Sequence, residues 1–362
     1  MKKILVLSFV GLGLIGSFSS CKKNTTTDTG NAGDSIHVSL STSTVEYNNF
    51  DYVVITVTDK AGNDITSSCS LLLNNNTAIN SKYVPTGLGN FNIKAKKGTN
   101  PSDVKLLSVV AKSGSPFTQK ILVEDCTGAW CGYCTRVAYD LETYKATHPN
   151  CISMAVHGGG GTDPFKFQYY TTYNSHFNVA GYPTAIINRK TEWSEDPAEL
   201  DAALQNWAPL GIAITSAVSG TNVTGTVKVK FNVNTEKSMK IVIALVENGL
   251  VYPQTNYYSP QYGATPYLYG GVSPINNFVH NGVLRRTSTD LFGDAIPKAN
   301  QIKNNIYEVP FTMALSGLAS GGTFTAVPAN CAIVAFVVDG STTIGTAYNT
   351  QYSAVGTTQN FD

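Results

Sequence analysis

The 362-residue sequence has few charged residues and few histidines. Asp, Glu, Lys and Arg together make up 14% of the chain, the formal net charge is +1, and no basic patch is present. Nucleic-acid-binding proteins carry clustered Lys and Arg, so the composition argues against nucleic acid as a partner. The five histidines are scattered without metal-ligand spacing. We therefore predict no metal site and no bound cofactor.

The sequence also has no GxSxG nucleophile turn. His157 and the four glycines after it are similar to the oxyanion loop of esterases, but that chemistry needs the serine turn. Two interpretations of His157 remain. It is an ordinary loop histidine, or it tunes the reactivity of nearby thiols.

The N-terminal apolar stretch, residues 4–15, is too short and too glycine-rich for a stable membrane span. Lys2 and Lys3 precede it and Cys21 follows a pair of serines, which resembles a bacterial lipoprotein signal. We expect cleavage of residues 1–20 and acylation of Cys21. Several acyl chains on one residue give stable anchoring. Residues 21–34 are then a flexible tether.

The segment that ends at Cys134 predicts redox chemistry. An apolar strand runs into Cys131-Gly132-Tyr133-Cys134, and a helix begins there. Two thiols three positions apart can close a small disulfide ring, and unpaired N–H groups at the helix start favour a thiolate at the first. Half of a zinc site has the same spacing. The flanking Trp130 and Asp125 favour a redox pair instead.

Residues 116–210 resemble a thioredoxin-fold domain. Residues 130–134 match the active-site motif of that family, Asp125 falls on its buried acid, and Pro183 falls on its cis-proline. The order of predicted elements agrees, with a helix that carries Val137 and Leu141 on one face and a last helix capped by Asp196.

The resemblance implies a role for each residue. Cys131, next to solvent, is the attacking thiolate, and Cys134 is the resolving thiol. Asp125, buried beneath the pair, moves a proton to or from Cys134 as a general base. The alternative for Asp125 is a carboxylate capped by backbone at a strand end.

Substrate contact is expected around Pro183. If the preceding bond is cis, the backbone of Tyr182 lies against the disulfide, where a substrate chain can pair with it. Trp130 and Tyr133 complete this predicted contact surface.

Four cysteines remain after Cys21 and the redox pair, and they allow three pairings. Cys126 and Cys151 fall on neighbouring strands of the predicted sheet and could touch, whereas Cys69 and Cys331 belong to different flanking units. The alternative is that all four are small buried apolar residues.

The regions on both sides predict β-structure. Residues 35–115 show alternating apolar positions such as Val53, Ile55 and Val57, which predicts a β-sandwich that resembles bacterial immunoglobulin-like modules. We expect a spacer, with a binding role as the alternative. Residues 211–362 predict a second β-sandwich. Its 251–297 loop is rich in tyrosine and either contacts protein or glycan or packs the sandwich.

The whole arrangement resembles the 28-kilodalton outer-membrane protein family of Gram-negative lipoproteins, and residues 278–285 are similar to a segment of that family's tail. The resemblance implies a lipid-anchored protein of the cell envelope, in the outer membrane on its periplasmic face or at the cell surface. The fold class expected is multidomain: an immunoglobulin-like β-sandwich, an α/β thioredoxin fold and a C-terminal β-sandwich.

The leading functional hypothesis is a membrane-anchored thiol-disulfide oxidoreductase that acts on thiols and disulfides of exported proteins. The Gly132-Tyr133 dipeptide resembles that of bacterial disulfide isomerases and reductases, which favours reduction or isomerisation over oxidation. The alternative is a binding or adhesive lipoprotein in which the redox domain is a scaffold with a static bond.

Overall fold

The computed structural model describes residues 35–258, 271–319 and 322–362. The predicted signal peptide, the lipidation site Cys21 and the tether lie outside these residues, as does part of the tyrosine-rich loop. Strands predominate in the described part of the chain, and none of its helices has the length and hydrophobicity that a bilayer crossing requires.

Two β-sheets make up the N-terminal unit. Its strands are β1 His37–Leu40, β2 Thr44–Tyr47, β3 Val53–Thr58, β4 Ser70–Leu73, β5 Thr77–Ile79, β6 Lys82–Tyr83, β7 Gly89–Lys97 and β8 Asn100–Ala111, with a 3-10 helix at Thr66–Ser68. The sheets have the orders β1-β3-β6 and β2-β8-β7-β4-β5. Side chains of both sheets share one buried cluster. The predicted alternation is confirmed, because Val53, Ile55 and Val57 are buried and the residues between them are not.

Strands and helices alternate in the central segment. Its elements are β9 Ile121–Thr127, α1 Cys134–Lys145, β10 Cys151–His157, α2 Tyr170–Phe177, β11 Thr184–Ile187, β12 Thr191–Glu192 and α3 Pro197–Leu204. β9 and β10 are parallel and β11 and β12 antiparallel to their neighbours, in the order β12-β11-β9-β10. Every residue of β9 is buried, because α1 and α3 pack on one face of the sheet and α2 on the other.

The C-terminal segment continues the same sheet. Its strands are β13 Leu210–Ser219, β14 Asn222–Phe231, β15 Met239–Glu247, β16 Leu250–Val251, β17 Val279–His280, β18 Val283–Thr287, β19 Asp294–Ile296, β20 Ile306–Ala314, β21 Ser316–Ala319, β22 Gly322–Thr325, β23 Cys331–Asp339, β24 Ala347–Ala354 and β25 Thr358–Gln359, and its 3-10 helices are Lys298–Asn300 and Pro328–Asn330. β18 pairs in parallel with β10, and the sheet runs on through β15 and β23 to β24, with β19 beside β15. In the described residues this sheet has nine strands and contains strands from both sides of the predicted 210/211 boundary.

A second sheet, β20-β14-β13-β25, packs on the C-terminal half of the large sheet. Apolar and polar residues alternate in β14, and Val227, Val229 and Phe231 are buried in the cluster between the two sheets. The apolar run 239–246 forms β15, whose neighbours β23 and β18 lie on either side of it.

The free cysteines do not approach each other along the sheet. Cys126 lies opposite Val156, and Cys151 lies opposite Ile121, so the two thiols are at opposite ends of the β9/β10 pair. Five residues of strand separate them, or about 16 Å. The expectation that they could touch is therefore wrong, and in the described residues Cys69, Cys126, Cys151 and Cys331 are all free thiols.

A buried ion pair links the central segment to the C-terminal one. The Arg189 guanidinium donates to both carboxylate oxygens of Glu124 at 2.9–3.2 Å, and both side chains are almost completely buried. The same guanidinium lies 4.6 Å from the ring centroid of Phe336 on β23. The guanidinium also donates to the carbonyl of Leu291 at 3.4 Å, whereas the carboxylate of Glu124 depends on Arg189 for its compensating charge.

We expect Arg189→Met to lower the free energy of unfolding by about 3–5 kcal/mol, because Glu124 is then a buried carboxylate without its partner. Chemical denaturation measures the difference. Lys228→Met is the matched control, since it breaks the exposed pair Lys228–Glu308 and should cost less than about 1 kcal/mol. Equal losses in the two variants would contradict the assignment.

Candidate functional site

The cysteine pair lies between the end of β9 and the start of α1. Cys131 and Cys134 form a disulfide with a Cα–Cα distance of 5.4 Å. The Cys131 N–H donates to the carbonyl of Gly128 at 2.9 Å, which turns the chain into the helix. Both cysteines are buried, with 3% and 2% of their surface exposed. The sequence predicts that Cys131 is next to solvent, and the structure differs because another segment covers it.

The covering segment is Tyr252–Tyr258, which we call the strap. It comes from the connection between β16 and β17. The Thr255 N–H donates to the carbonyl of Ala129 at 2.9 Å, and the Tyr257 N–H donates to the carbonyl of Gly132 at 2.8 Å. Backbone hydrogen bonds therefore attach the strap to the loop that carries the cysteines.

The side chain of Gln254 adds to this attachment. Its Nε2 donates to the Cys131 carbonyl at 2.8 Å and to the Gly128 carbonyl at 3.2 Å. The strap belongs to the tyrosine-rich 251–297 loop. The rings of Tyr257 and Tyr258 pack edge-on against the exposed ring of Tyr133, beside the cysteine pair.

Trp130 is held by the glycine-rich loop after β10. Its Nε1 donates to the Gly158 carbonyl at 2.9 Å. A Cβ atom at Gly159 or at Gly161 would lie 2.2 Å from the indole ring, so only glycine fits at these two positions. The glycine-rich loop, which is similar in sequence to an esterase oxyanion loop, therefore packs around the ring of Trp130.

Pro183 follows a cis peptide bond, and Tyr182 lies beside the motif. The Tyr182 ring is 5.6 Å from that of Trp130 in an edge-on arrangement. The amide of Asn174 on α2 donates to the Tyr182 hydroxyl at 2.6 Å. The predicted contact residues Trp130, Tyr133, Tyr182 and Pro183 therefore come from loops around one end of the central sheet.

Asp125 lies on the face of β9 that α1 covers. It lines, together with Cys134, a small cavity of about 50 Å³ that also contacts Thr127 and Gln254. This space is large enough for water. Burial, with a smaller contribution from the negative charge of Glu195, raises the pKa of Asp125 to about 7. Its Oδ1 is buried and has no hydrogen-bond partner in the described residues.

Two buried histidines, His157 and His280, line the same cavity. His157 Nδ1 and Asp163 Oδ2 are 2.7 Å apart, and Asp163 also accepts from the Ala129 N–H at 2.8 Å. Burial alone would raise the pKa of Asp163, but the hydrogen bond and charge of His157 outweigh it and lower that pKa. His280 of β17 packs edge-on against His157, and burial lowers the pKa of His280 to about 4. Asp163 thus ties the motif to β10.

Sequence reasoning missed Asp163, His280 and the strap. Asp163 follows the glycines in a Gly-Thr-Asp-Pro turn, which gave a signal for a turn but not for a partner of His157. The described residues contain no group of three or more His, Cys, Asp and Glu side chains able to hold a metal ion.

These features define a β-rich chain with several sheets and a cysteine pair at the start of a helix. The chain belongs to the family described as outer membrane protein Omp28, whose model matches residues 170–359. The matched range includes Tyr182, Pro183 and the strap, but it begins after the cysteine pair. The description of the family associates it with the outer membrane.

Among solved structures, HBP35 of Porphyromonas gingivalis is similar to this chain. The two are 17% identical, the match covers 67% of this chain and 77% of that one, and the TM-score is 0.49. The comparison with curated proteins found no match.

We expect Asp125→Asn to increase stability more at pH 8 than at pH 5. The pKa of Asp125 is raised to about 7 in the folded protein, so between about pH 4 and pH 7 the folded state holds a proton that the unfolded state has lost. The stability of the parent therefore falls as the pH rises through this window, by up to about 4 kcal/mol. Asn does not ionise and escapes this loss.

Chemical denaturation at both pH values measures the effect. Any cost of placing an amide in the site shifts both measurements equally and leaves the difference intact. Glu192→Gln, at an exposed carboxylate of β12, is the control. A stability change in Asp125→Asn that is the same at pH 5 and pH 8 would refute the assignment.

Proposed function

We propose that this chain is a membrane-anchored thiol-disulfide oxidoreductase that acts on exported proteins through Cys131 and Cys134. The observation that carries the proposal is the placement of the disulfide at the start of α1, with the buried carboxyl of Asp125 on the same cavity as Cys134. A structural disulfide needs no acid beneath it, whereas thiol exchange needs a group that moves a proton.

The surrounding topology supports a thioredoxin-like domain at residues 116–210. The order β12-β11-β9-β10, with β9 and β10 parallel and helices on both faces, is the arrangement expected of such a domain and supports this part of the proposal. The cis bond before Pro183 and the contact of Tyr182 with Trp130 agree with this interpretation.

The proposed reaction starts from the reduced pair. The Cys131 thiolate attacks one sulfur of a substrate disulfide, forms a mixed disulfide and expels the other substrate sulfur as a thiolate. Asp125 takes the proton of the Cys134 thiol, and the resulting thiolate attacks Sγ of Cys131. This closes the Cys131–Cys134 bond, releases the second substrate thiolate and returns the proton to it. Two electrons have passed to the substrate, and a dithiol donor restores them.

The second candidate is a binding lipoprotein in which the disulfide is static. The near-complete burial of both cysteines beneath the strap favours it, because thiol exchange requires an accessible sulfur. Contact with protein or glycan would then come from the 251–297 region.

We expect the chain without residues 1–21 to reduce insulin disulfides when dithiothreitol is the donor, and we expect Cys131→Ser to abolish this activity. Serine cannot form the mixed disulfide. Turbidity of the precipitating insulin chain measures the rate. Cys69→Ser, at a free thiol of the N-terminal unit, should retain the parent's rate. If Cys131→Ser is as active as the parent, the mechanism is excluded and the second candidate stands.

The anchor is proposed at Cys21. The resemblance of residues 1–20 to a lipoprotein signal supports it, and several acyl chains on one residue bind membranes stably. We expect the full chain to fractionate with membranes and Cys21→Ser to lose that association, as judged by immunoblotting of the fractions. Recovery of Cys21→Ser in the membrane fraction at the parent's level would rule out this anchor.

A further inference from the structure

We propose that the strap occupies the groove in which an extended substrate chain binds, and that it must move away before Cys131 can react. This inference rests on the proposed function. It assigns to residues 252–258 of the chain itself the position of a substrate polypeptide beside the disulfide.

The backbone of the strap is hydrogen-bonded to the motif at two points. The donors are the N–H groups of Thr255 and Tyr257, two residues apart, and both acceptors are carbonyls of the loop that carries Cys131. Extended peptides likewise bind through main-chain hydrogen bonds to a partner's exposed backbone groups. Asn256, between the two donors, accepts instead from the hydroxyl of Thr135 on α1 at 3.1 Å.

The ring of Tyr257 fills the space directly above the motif. A Cβ atom placed on Gly132 would lie 2.2–2.5 Å from three atoms of that ring. Real Cβ atoms essentially never come so close, so the ring takes up the volume beside residue 132. A substrate chain cannot share this volume, and binding therefore requires displacement of the strap. The same fit indicates that the groove accepts an aromatic side chain next to the reacting cysteine.

The strap can leave without disrupting the large sheet. It follows the two-stranded ribbon of β16 and β17, and its Gln254 forms an isolated bridge with Ile275, which belongs to the same connection and not to the large sheet. Its most buried residues, Gln254 and Asn256, are polar, and the rings of Tyr252, Tyr257 and Tyr258 are only partly buried. Hydrogen bonds therefore make up much of what holds the strap in place. Segments with few buried apolar contacts open locally at low cost.

Chemical reduction of the disulfide tests the proposal without requiring catalysis. The proteins are incubated with dithiothreitol, quenched with a thiol-alkylating reagent, and the mass increase at Cys131 and Cys134 is followed over time. We expect Tyr257→Ala to react on the order of tenfold faster than the parent, because the parent reacts only through an open state, and such minor states are typically populated to roughly 0.1–10%. Gln254→Ala should also be faster.

Three matched measurements accompany these variants. Tyr257→Phe should keep most of the parent's protection, because the ring remains over Gly132. Tyr52→Ala changes a tyrosine in the N-terminal unit and should react at the parent's rate. Thermal unfolding shows that each variant is folded at the temperature of the assay.

The outcomes separate the two proposals. Equal reduction rates in the parent, Tyr257→Ala and Gln254→Ala overturn the strap proposal, whatever their activity on insulin. Faster chemical reduction together with faster insulin reduction supports it. Faster chemical reduction with no insulin reduction by any form overturns the proposed function and, with it, a substrate groove beneath the strap.

Discussion

The pairing of β10 with β18 is the constraint on which the rest of the structure depends. The Ala155 N–H donates to the carbonyl of Gly282 at 2.8 Å, and a Cβ atom on Gly282 would lie 2.9 Å from the Ser153 carbonyl oxygen. Only a residue without a side chain, at a φ of +65°, lets the chain approach β10 so closely. The contact covers an edge strand that would otherwise be free to pair with other chains. It also brings β17 and the strap over the cysteine pair.

Two buried polar groups near the motif have different physical roles. Glu124 and Asp125 are neighbours on β9 and point to opposite faces. Glu124 meets Arg189 and is fully paired, which is a structural arrangement. Asp125 lines a small cavity beside Cys134 and forms no ion pair with the described residues, and burial raises its pKa to about 7. The second arrangement is the kind that is found at reactive centres.

Local patterns in the sequence predicted the elements well, and long-range contacts explain what was missed. The helix start at Asp196 is confirmed, because its carboxylate accepts from the Ala198 N–H at 2.9 Å. The alternation in β3 is also confirmed, since period-2 burial depends only on neighbouring residues. The expected contact of Cys126 with Cys151 rests on the adjacency of their strands. Local patterns do not indicate the register of two strands, and the register places these thiols at opposite ends of the pair. The strap lies more than a hundred residues from the motif, so no spacing rule connects the two.

Burial of the disulfide beneath the strap links the opening of the strap to the oxidation state of Cys131 and Cys134. An intact disulfide carries no charge, so its burial has no electrostatic cost. Reduction can generate a thiolate, and burial disfavours a thiolate that lacks water or a compensating charge. Exclusion of solvent by the strap therefore favours the oxidised pair. The coupling is reciprocal. Opening of the strap favours reduction of the disulfide, and reduction of the disulfide favours opening of the strap by the same factor.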